Sequence, residues 1–149
     1  MFFIGHGIDQ HKLIKRKKII VIGGYKMQSE WSILAHSDGD IVLHPISNAI
    51  LGALGEGDIG DYFPDSDKFN KNLDSQKILK KALLFLKNKK IVNIDLTIIC
   101  EDIFFGNHKN NIKKSLEKIL PCKHINVKCT RFEKTTHMIC CESVLLIHS

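Results

Sequence analysis

Three side chains in the first third of the sequence could together bind a metal ion. Asp9 and His11 lie two residues apart in a segment that alternates like a strand, so both project from one face of an extended chain. His44 follows in an apolar segment with helical spacing. One carboxylate and two imidazoles suit zinc and leave a fourth position open to water or substrate. A lone histidine in an apolar helix is also typical of a packed core, so both interpretations stay open at this point.

Polar turns flank the helix that would carry His44. Residues 36–40 read His-Ser-Asp-Gly-Asp, and the N-terminus of the following helix offers free N–H groups to a phosphate. Beyond the helix, residues 58–60 read Asp-Ile-Gly and residues 63–67 read Phe-Pro-Asp-Ser-Asp, which supply acceptors for sugar or polyol hydroxyls. The same residue types are common in ordinary turns and caps. The turns therefore indicate either a phosphate and sugar site or local turn chemistry.

A third polar group follows a strand near the C-terminus. Residues 128–134 read Lys-Cys-Thr-Arg-Phe-Glu-Lys and combine a hydroxyl, a carboxylate and amines. This pattern fits a binding site and fits a polar strand end equally well.

Strands and helices alternate along the chain and must position these groups. Hydrophobic spacing predicts strands at 2–9, 19–22, 91–100, 125–132 and 137–147, a short hairpin arm at 25–27, and helices after residue 40, over 73–90 and over 107–120. A basic connection spans residues 12–18. This order predicts an α+β fold, with a single mixed four-stranded sheet, helices on one face and a short hairpin. The length fits a single domain, residues 1–149.

Composition narrows the class of partner. The net charge of +6 fits a solvated lysine surface with modest attraction for a small polyanionic substrate. No aromatic residues interleave the basic run at 12–18, so we expect no nucleic-acid partner. No apolar run approaches about 18 residues, so we expect no membrane partner. The five cysteines form no C-x-x-C pair, which favours buried free thiols in a reducing compartment over zinc-thiolate.

Five blocks of sequence resemble the 2-C-methyl-D-erythritol 2,4-cyclodiphosphate synthases, in the order and at nearly the spacing of that family. They are G-H-G-I-D-Q-H at 5–11, A-H-S-D-G-D-I-V-L-H at 35–44, L-G-A-L-G-E-G-D-I-G at 51–60, F-P-D-S-D at 63–67 and K-C-T-R-F-E-K at 128–134. Together they extend the resemblance over almost the whole chain.

The resemblance implies a lyase of the non-mevalonate pathway of isoprenoid (terpenoid) biosynthesis. Such an enzyme converts 4-diphosphocytidyl-2-C-methyl-D-erythritol 2-phosphate to 2-C-methyl-D-erythritol 2,4-cyclodiphosphate and releases CMP by metal-assisted intramolecular phosphoryl transfer. The resemblance also implies a homotrimer whose active sites are shared between subunits. It implies a location in the bacterial cytoplasm, or in a plastid-like organelle after processing.

The resemblance also assigns roles to individual residues. Asp9, His11 and His44 would hold zinc, and Glu133 would hold magnesium or manganese. His36 matches a catalytic position that binds the 2-phosphate. The substrate-binding positions that it implies are Ser37, Asp58, Ile59, Gly60, Phe63, Pro64, Asp65, Ser66, Asp67, Cys100, Thr130 and Phe132.

The chain departs from the family pattern in three places. Residues 101–106 replace a proline- and lysine-containing run that shapes the cytosine pocket, and a glycine-rich loop with an arginine is shortened after Glu133. Arg131 stands where the family has a threonine, and we expect it to contact phosphate as a catalytic residue. These departures leave a metal-dependent phosphoesterase on the same scaffold as the second interpretation. A basic nucleic-acid-binding protein is a third, which rests on charge alone.

Overall fold

The structure, a computed structural model that describes residues 1–149, is built on one five-stranded sheet. Its strands are β1 (Phe2–Ile22), β2 (Tyr25–Ile33), β3 (Lys90–Cys100), β4 (Ile125–Thr130) and β5 (Met138–His148). They lie in the order β2-β1-β5-β3-β4, and only β3 and β4 are parallel. The helices are α1 (Leu43–Leu54), α2 (Ile59–Tyr62), α3 (Ser75–Leu84) and α4 (Lys109–Ile119).

The α+β class and the mixed sheet are confirmed, but the prediction of four strands was wrong. β2 pairs with β1 from Ile22 opposite Tyr25 to Leu13 opposite Ile33, so the expected short arm at 25–27 is a full strand. The basic segment 12–18 belongs to β1, whose register shifts between Lys15 and Lys18. Residues 15–19 are all exposed, so this part of the strand lacks the alternation by which a half-buried strand is recognised. The helix expected over 73–90 is shorter, because α3 ends at Leu84.

Helix α1 lies directly on β1 because two glycines let the backbones approach. A Cβ added at Gly5 would lie 1.8 Å from the carbonyl oxygen of Ala49, and one added at Gly7 would lie 1.9 Å from that of Pro45. No other residue type fits at either position without displacing the helix. This contact brings the start of α1 over residues 9–11 of β1.

Asp40 joins the β1–β2 turn to the start of α1. Its buried carboxylate accepts hydrogen bonds from the N–H groups of Gly23, Gly24, Val42 and Leu43, at 2.8 to 3.2 Å. Burial raises the pKa of Asp40 to about 6, while these N–H donors act in the opposite direction. The aspartate thereby satisfies two N–H groups at the helix start and fixes α1 against the hairpin.

The two faces of the sheet differ in burial. One face contributes to a single hydrophobic core with α1, α3 and α4, which contains 32 buried residues. On the opposite face of β1 and β5, apolar side chains remain exposed: Phe2, Ile4, Ile8 and Val144. All five cysteines are free thiols, and four of them are buried. No helix is both long enough and apolar enough to cross a membrane.

Candidate active site

Asp9, His11 and His44 meet where β1 passes beneath the first turn of α1. Asp9 Oδ2 lies 3.0 Å from His11 Nε2 and 3.2 Å from His44 Nδ1. One potential ligand atom from each residue lies within 4.8 Å of the others. Strand alternation turns Asp9 and His11 to the face that α1 covers, and the helix supplies His44. The structure therefore brings the three residues expected to hold zinc into one cluster.

The cluster combines an ionised carboxylate with two imidazoles. Burial alone would raise the pKa of Asp9, but hydrogen bonds and positive charge from His11 and His44 outweigh it and lower the pKa to about 2. Burial alone would lower the pKa of His44, but the hydrogen bond and charge of Asp9, together with the charges of Asp38 and Asp40, outweigh it and raise the pKa above its ordinary value. A divalent cation can take the place of the protons in such a group, because its ligands must be deprotonated. The donor set therefore fits a metal ion such as zinc.

A cavity of about 450 Å³ opens onto this cluster. Its other lining residues that the sequence singled out are His36, Ser37, Ile59, Gly60, Phe63, Pro64 and Asp65. Asn70, Leu73 and Ile78 complete the wall and were not anticipated. Residues from all three polar turns, at 36–40, 58–60 and 63–67, thus border the same cavity as the candidate metal ligands.

Three of the expected substrate-binding residues in the turns at 58–60 and 63–67 do not line this cavity. Asp58 caps α2, where its carboxylate accepts hydrogen bonds from the N–H groups of Gly60 and Asp61. Asp67 accepts one from Phe69 N–H, and Ser66 lies beside it in the same exposed turn. In the single chain, the carboxylates of Asp58 and Asp67 serve local turn structure.

A second cavity, of about 280 Å³, lies at the ends of β3 and β4. Cys100, Thr130 and Arg131 line it together with residues 103–106, Lys109 and Cys129. No residue lines both cavities. Phe132 and Glu133 lie outside both, in the segment between β4 and β5. Within one chain, the predicted site residues therefore do not all lie together, because some line the first cavity and others line the second.

A family model, described as the YgbB family, matches residues 2–148. The chain belongs to the YgbB family. A YgbB-family relative from Leptospira interrogans, named 2-C-methyl-D-erythritol 2,4-cyclodiphosphate synthase, is 49% identical over 139 residues, which cover 90% of this chain and 86% of the relative. A relative of the same name from Mycoplasmoides gallisepticum is 42% identical over 149 residues, which cover 98% of this chain and 96% of the relative. The resemblance inferred from the five sequence blocks is confirmed.

Solved structures agree with the fold of this YgbB-family chain. One of them, described as the CDP-bound form of 2C-methyl-D-erythritol-2,4-cyclodiphosphate synthase, superposes with a TM-score of 0.88 at 28% identity. The match covers 97% of this chain and 99% of that chain. The similarity of fold therefore spans nearly the whole length of each protein.

The segment after β4 is held by contacts that the sequence did not indicate. Strand β4 ends at Thr130, so strand alternation no longer constrains Arg131. Further along, His137 Nδ1 lies 3.0 Å from Asp102 Oδ1, and the imidazole stacks on Trp31 with ring centroids 5.0 Å apart. These contacts attach the segment that contains Arg131 to the chain that borders the second cavity.

Ser75 is a further residue beside the candidate metal ligands that sequence reasoning missed, and it contacts Asp38 of the turn at 36–40. Ser75 Oγ lies 2.9 Å from His44 Nε2 and donates a short hydrogen bond to Asp38. Asp74 caps α3, with its carboxylate accepting a hydrogen bond from Gln76 N–H, and Ser75 is the first residue of that helix. No local pattern indicates a partnership with a histidine 31 residues away.

Proposed function

We propose that this YgbB-family protein catalyses the cyclisation for which its relatives are named. The supporting observation is the convergence of Asp9, His11 and His44 at a large cavity, in a chain 49% identical to a named synthase over 139 residues. The substrate is 4-diphosphocytidyl-2-C-methyl-D-erythritol 2-phosphate. The products are 2-C-methyl-D-erythritol 2,4-cyclodiphosphate and CMP.

The reaction is an intramolecular phosphoryl transfer. An oxygen of the 2-phosphate attacks the β-phosphorus of the same molecule, and a new P–O bond closes the ring. The bond from the β-phosphorus to the oxygen shared with CMP breaks, and that oxygen leaves with CMP. Because the nucleophile and the electrophile belong to one molecule, folding and positioning the substrate provide most of the catalysis. The reaction needs no serine or cysteine nucleophile.

The residues of the first cavity fit these requirements. Asp9, His11 and His44 would hold zinc, and Glu133, which lies outside this cavity in the single chain, would hold magnesium or manganese. Bound metal ions supply Lewis-acid neutralisation of the negative charge on the transferring phosphoryl oxygens. The low pKa of Asp9 keeps its carboxylate ionised and ready to bind a cation at neutral pH.

His36 and Ser37 would bind the 2-phosphate. Both line the cavity that opens onto the metal ligands, and Ser37 Oγ lies 3.4 Å from His44 Nε2. The 2-phosphate would then lie beside the candidate metal ligands, where the β-phosphate would bind. The turn at 63–67 would face the methylerythritol, and residues 58–60 the ribose.

The second cavity would hold the cytosine end of the substrate. Cys100 and Thr130 line it, and Arg131 would donate hydrogen bonds to the diphosphate from its rim. Residues 103–106 replace the wall that the family resemblance implies, so selectivity for cytosine depends here on a different surface.

A homotrimer would join the two cavities into complete sites. Within one chain the cavities share no lining residue, and Phe132 and Glu133 reach neither. We propose that each site combines the first cavity of one subunit with the second cavity and Glu133 of a neighbour. The exposed apolar face of β1 and β5 would lie inside this assembly, and residues 1–149 would act as a single synthase domain.

Release of CMP tests the proposed function. Zinc-loaded protein is incubated with the diphosphocytidyl substrate and magnesium, and CMP is followed by chromatography. We expect CMP to form with turnover. Folded, zinc-loaded protein that releases no CMP would contradict the proposal.

A further inference from the structure

The second ring nitrogen of His44 is held inside the protein. While Nδ1 faces Asp9, Nε2 lies 2.9 Å from Ser75 Oγ and 3.4 Å from Ser37 Oγ. His44 is 8% exposed and Ser75 is fully buried. The shorter contact is the stronger one, so Ser75 is the main partner of Nε2.

Asp38 holds Ser75 with both of its carboxylate oxygens. Asp38 Oδ2 accepts a hydrogen bond from Ser75 N–H at 2.9 Å, and Oδ1 accepts a short one from the Ser75 hydroxyl. Asp40 N–H also donates to Asp38 Oδ1, at 3.1 Å. The serine hydroxyl is thus fixed at the first residue of α3, between a carboxylate and an imidazole.

The carboxylate sets the direction of this chain of hydrogen bonds. Asp38 accepts hydrogen bonds from two backbone N–H groups and from the Ser75 hydroxyl, so this hydroxyl points its proton at Asp38 and presents a lone pair to His44. Nε2 of His44 then serves as the donor, which leaves the Nδ1 lone pair free for a cation shared with Asp9 and His11. The opposite direction would place the proton on Nδ1 of the neutral ring, where it would block metal binding.

We propose that Ser75, oriented by Asp38, is a positioning residue that prepares His44 to bind metal through Nδ1. The inference rests on the metal site of the proposed function and assigns a role to two residues that line neither cavity. Ligand histidines in proteins commonly donate their second N–H to a carboxylate or carbonyl, and loss of that partner weakens metal binding by roughly 10- to 100-fold. Here a serine hydroxyl connects the carboxylate to the ring.

The same contacts tie metal binding to the phosphate-binding turn. Backbone hydrogen bonds from Asn72 N–H to His36 carbonyl oxygen, at 2.9 Å, and from Asp38 N–H to Leu73 carbonyl oxygen, at 3.3 Å, join the turn to the start of α3. The orientation of His44 and the position of residues 36–38 therefore depend on the same set of hydrogen bonds between residues 36–38 and residues 72–75.

Zinc affinity tests the proposal, measured by competition with a chromophoric chelator. We expect Ser75→Ala to raise the zinc Kd by roughly 10- to 100-fold and Asp38→Asn to raise it as well. Ser47→Ala is the matched control, because Ser47 is fully buried but its hydroxyl donates to the Leu43 carbonyl oxygen at 2.7 Å. This control should bind zinc like the wild type. Folded Ser75→Ala protein with an unchanged Kd would overturn the proposal.

An NMR measurement of proton exchange in the zinc-loaded wild type tests the role of Ser75 even if the Ser75→Ala variant does not fold. With ¹⁵N-labelled histidine, the proposal predicts a His44 Nε2–H proton that exchanges slowly with water. Rapid exchange of that proton would overturn the role of Ser75. Wild-type protein that binds no zinc would contradict the metal site as well, whereas normal zinc binding with unaffected variants would contradict only the inference about Ser75 and Asp38.

Discussion

Arg131 stands where the family resemblance implies a threonine, and it lines the second cavity just beyond the end of β4. A guanidinium can donate two parallel hydrogen bonds to a phosphate, where a hydroxyl can donate one. A hydrogen bond to a charged group contributes about 1.5–3 kcal/mol, which corresponds to a rate factor of roughly 10 to 160. We therefore expect Arg131→Thr to lower CMP release by that factor and to leave the zinc content unchanged.

The matched control is Arg16, the other arginine of the chain. It lies on β1 outside both cavities, with Nε 3.4 Å from Ser32 Oγ. Arg16→Thr removes the same charge and should retain full activity. Equal or higher activity in Arg131→Thr would contradict the phosphate role.

The low pKa of Asp9 predicts how the stability of the metal-free protein changes with pH. The folded-state pKa is about 2, below the ordinary 3.8, so ionised Asp9 favours the folded state above pH 4. This contribution of about 2 kcal/mol is lost as the pH falls from 4 to 2. We expect the difference in unfolding free energy between wild type and Asp9→Asn, measured in urea with a chelator present, to shrink over that interval. A difference that does not change between pH 4 and pH 2 would contradict the charge pairing with His11 and His44.

At the scale of elements, the contact between α1 and β1 determines where His44 lies. Gly7→Ala would place a Cβ 1.9 Å from the carbonyl oxygen of Pro45, so the helix must move away from the strand. We expect a loss of about 3 kcal/mol in unfolding free energy and weaker zinc binding, because His44 moves with the helix. Urea unfolding and the chelator competition measure the two effects.

Gly52→Ala is the control for this substitution. Gly52 lies on the same helix, and the nearest atom to an added Cβ is His6 carbonyl oxygen at 4.0 Å. An alanine inside a helix is favoured over glycine, so this variant should be as stable as the wild type or more so by up to about 1 kcal/mol. Equal stabilities of the two variants would mean that the close packing is not needed.

Local patterns predicted those parts of the site that depend on strand parity and helix spacing. Asp9 and His11 share a face because they are two residues apart in a strand, and His44 joins them because α1 covers that face. The full length of β2 was missed because its partner, β1, was not recognised as one strand. Residues 15–19 of β1 are all exposed and therefore lack the alternation of a half-buried strand. The contact of Ser75 with His44 was missed because it depends on the packing of α3 beside α1, which no local spacing reports.

At the scale of the whole molecule, the exposed face of β1 and β5 predicts assembly. Ile4 is 74% exposed on this face and would be buried in the proposed homotrimer. We expect light scattering at micromolar concentration to give three times the chain mass of 16.9 kDa for the wild type. Ile4→Glu should yield smaller species, because an unpaired charge is costly to bury in an interface.

Leu84→Glu provides the comparison. Leu84 is 72% exposed at the end of α3, away from the uncovered sheet face. The same charge at this position should leave the mass unchanged. A monomeric wild type, or an Ile4→Glu protein that stays trimeric, would contradict the proposed assembly.

Phosphorus NMR of the reaction products tests the central claim most directly. With zinc-loaded wild-type protein, the diphosphocytidyl substrate and magnesium, we expect the signals of a cyclic diphosphate and of CMP to grow in equal amounts. His44→Ala should lack stoichiometric zinc and react slower by a factor on the order of 10³, about 4 kcal/mol of transition-state stabilisation. Linear phosphate products from the folded, zinc-loaded wild type would mean that water is the nucleophile. This result would contradict the proposed cyclisation and would indicate a phosphoesterase.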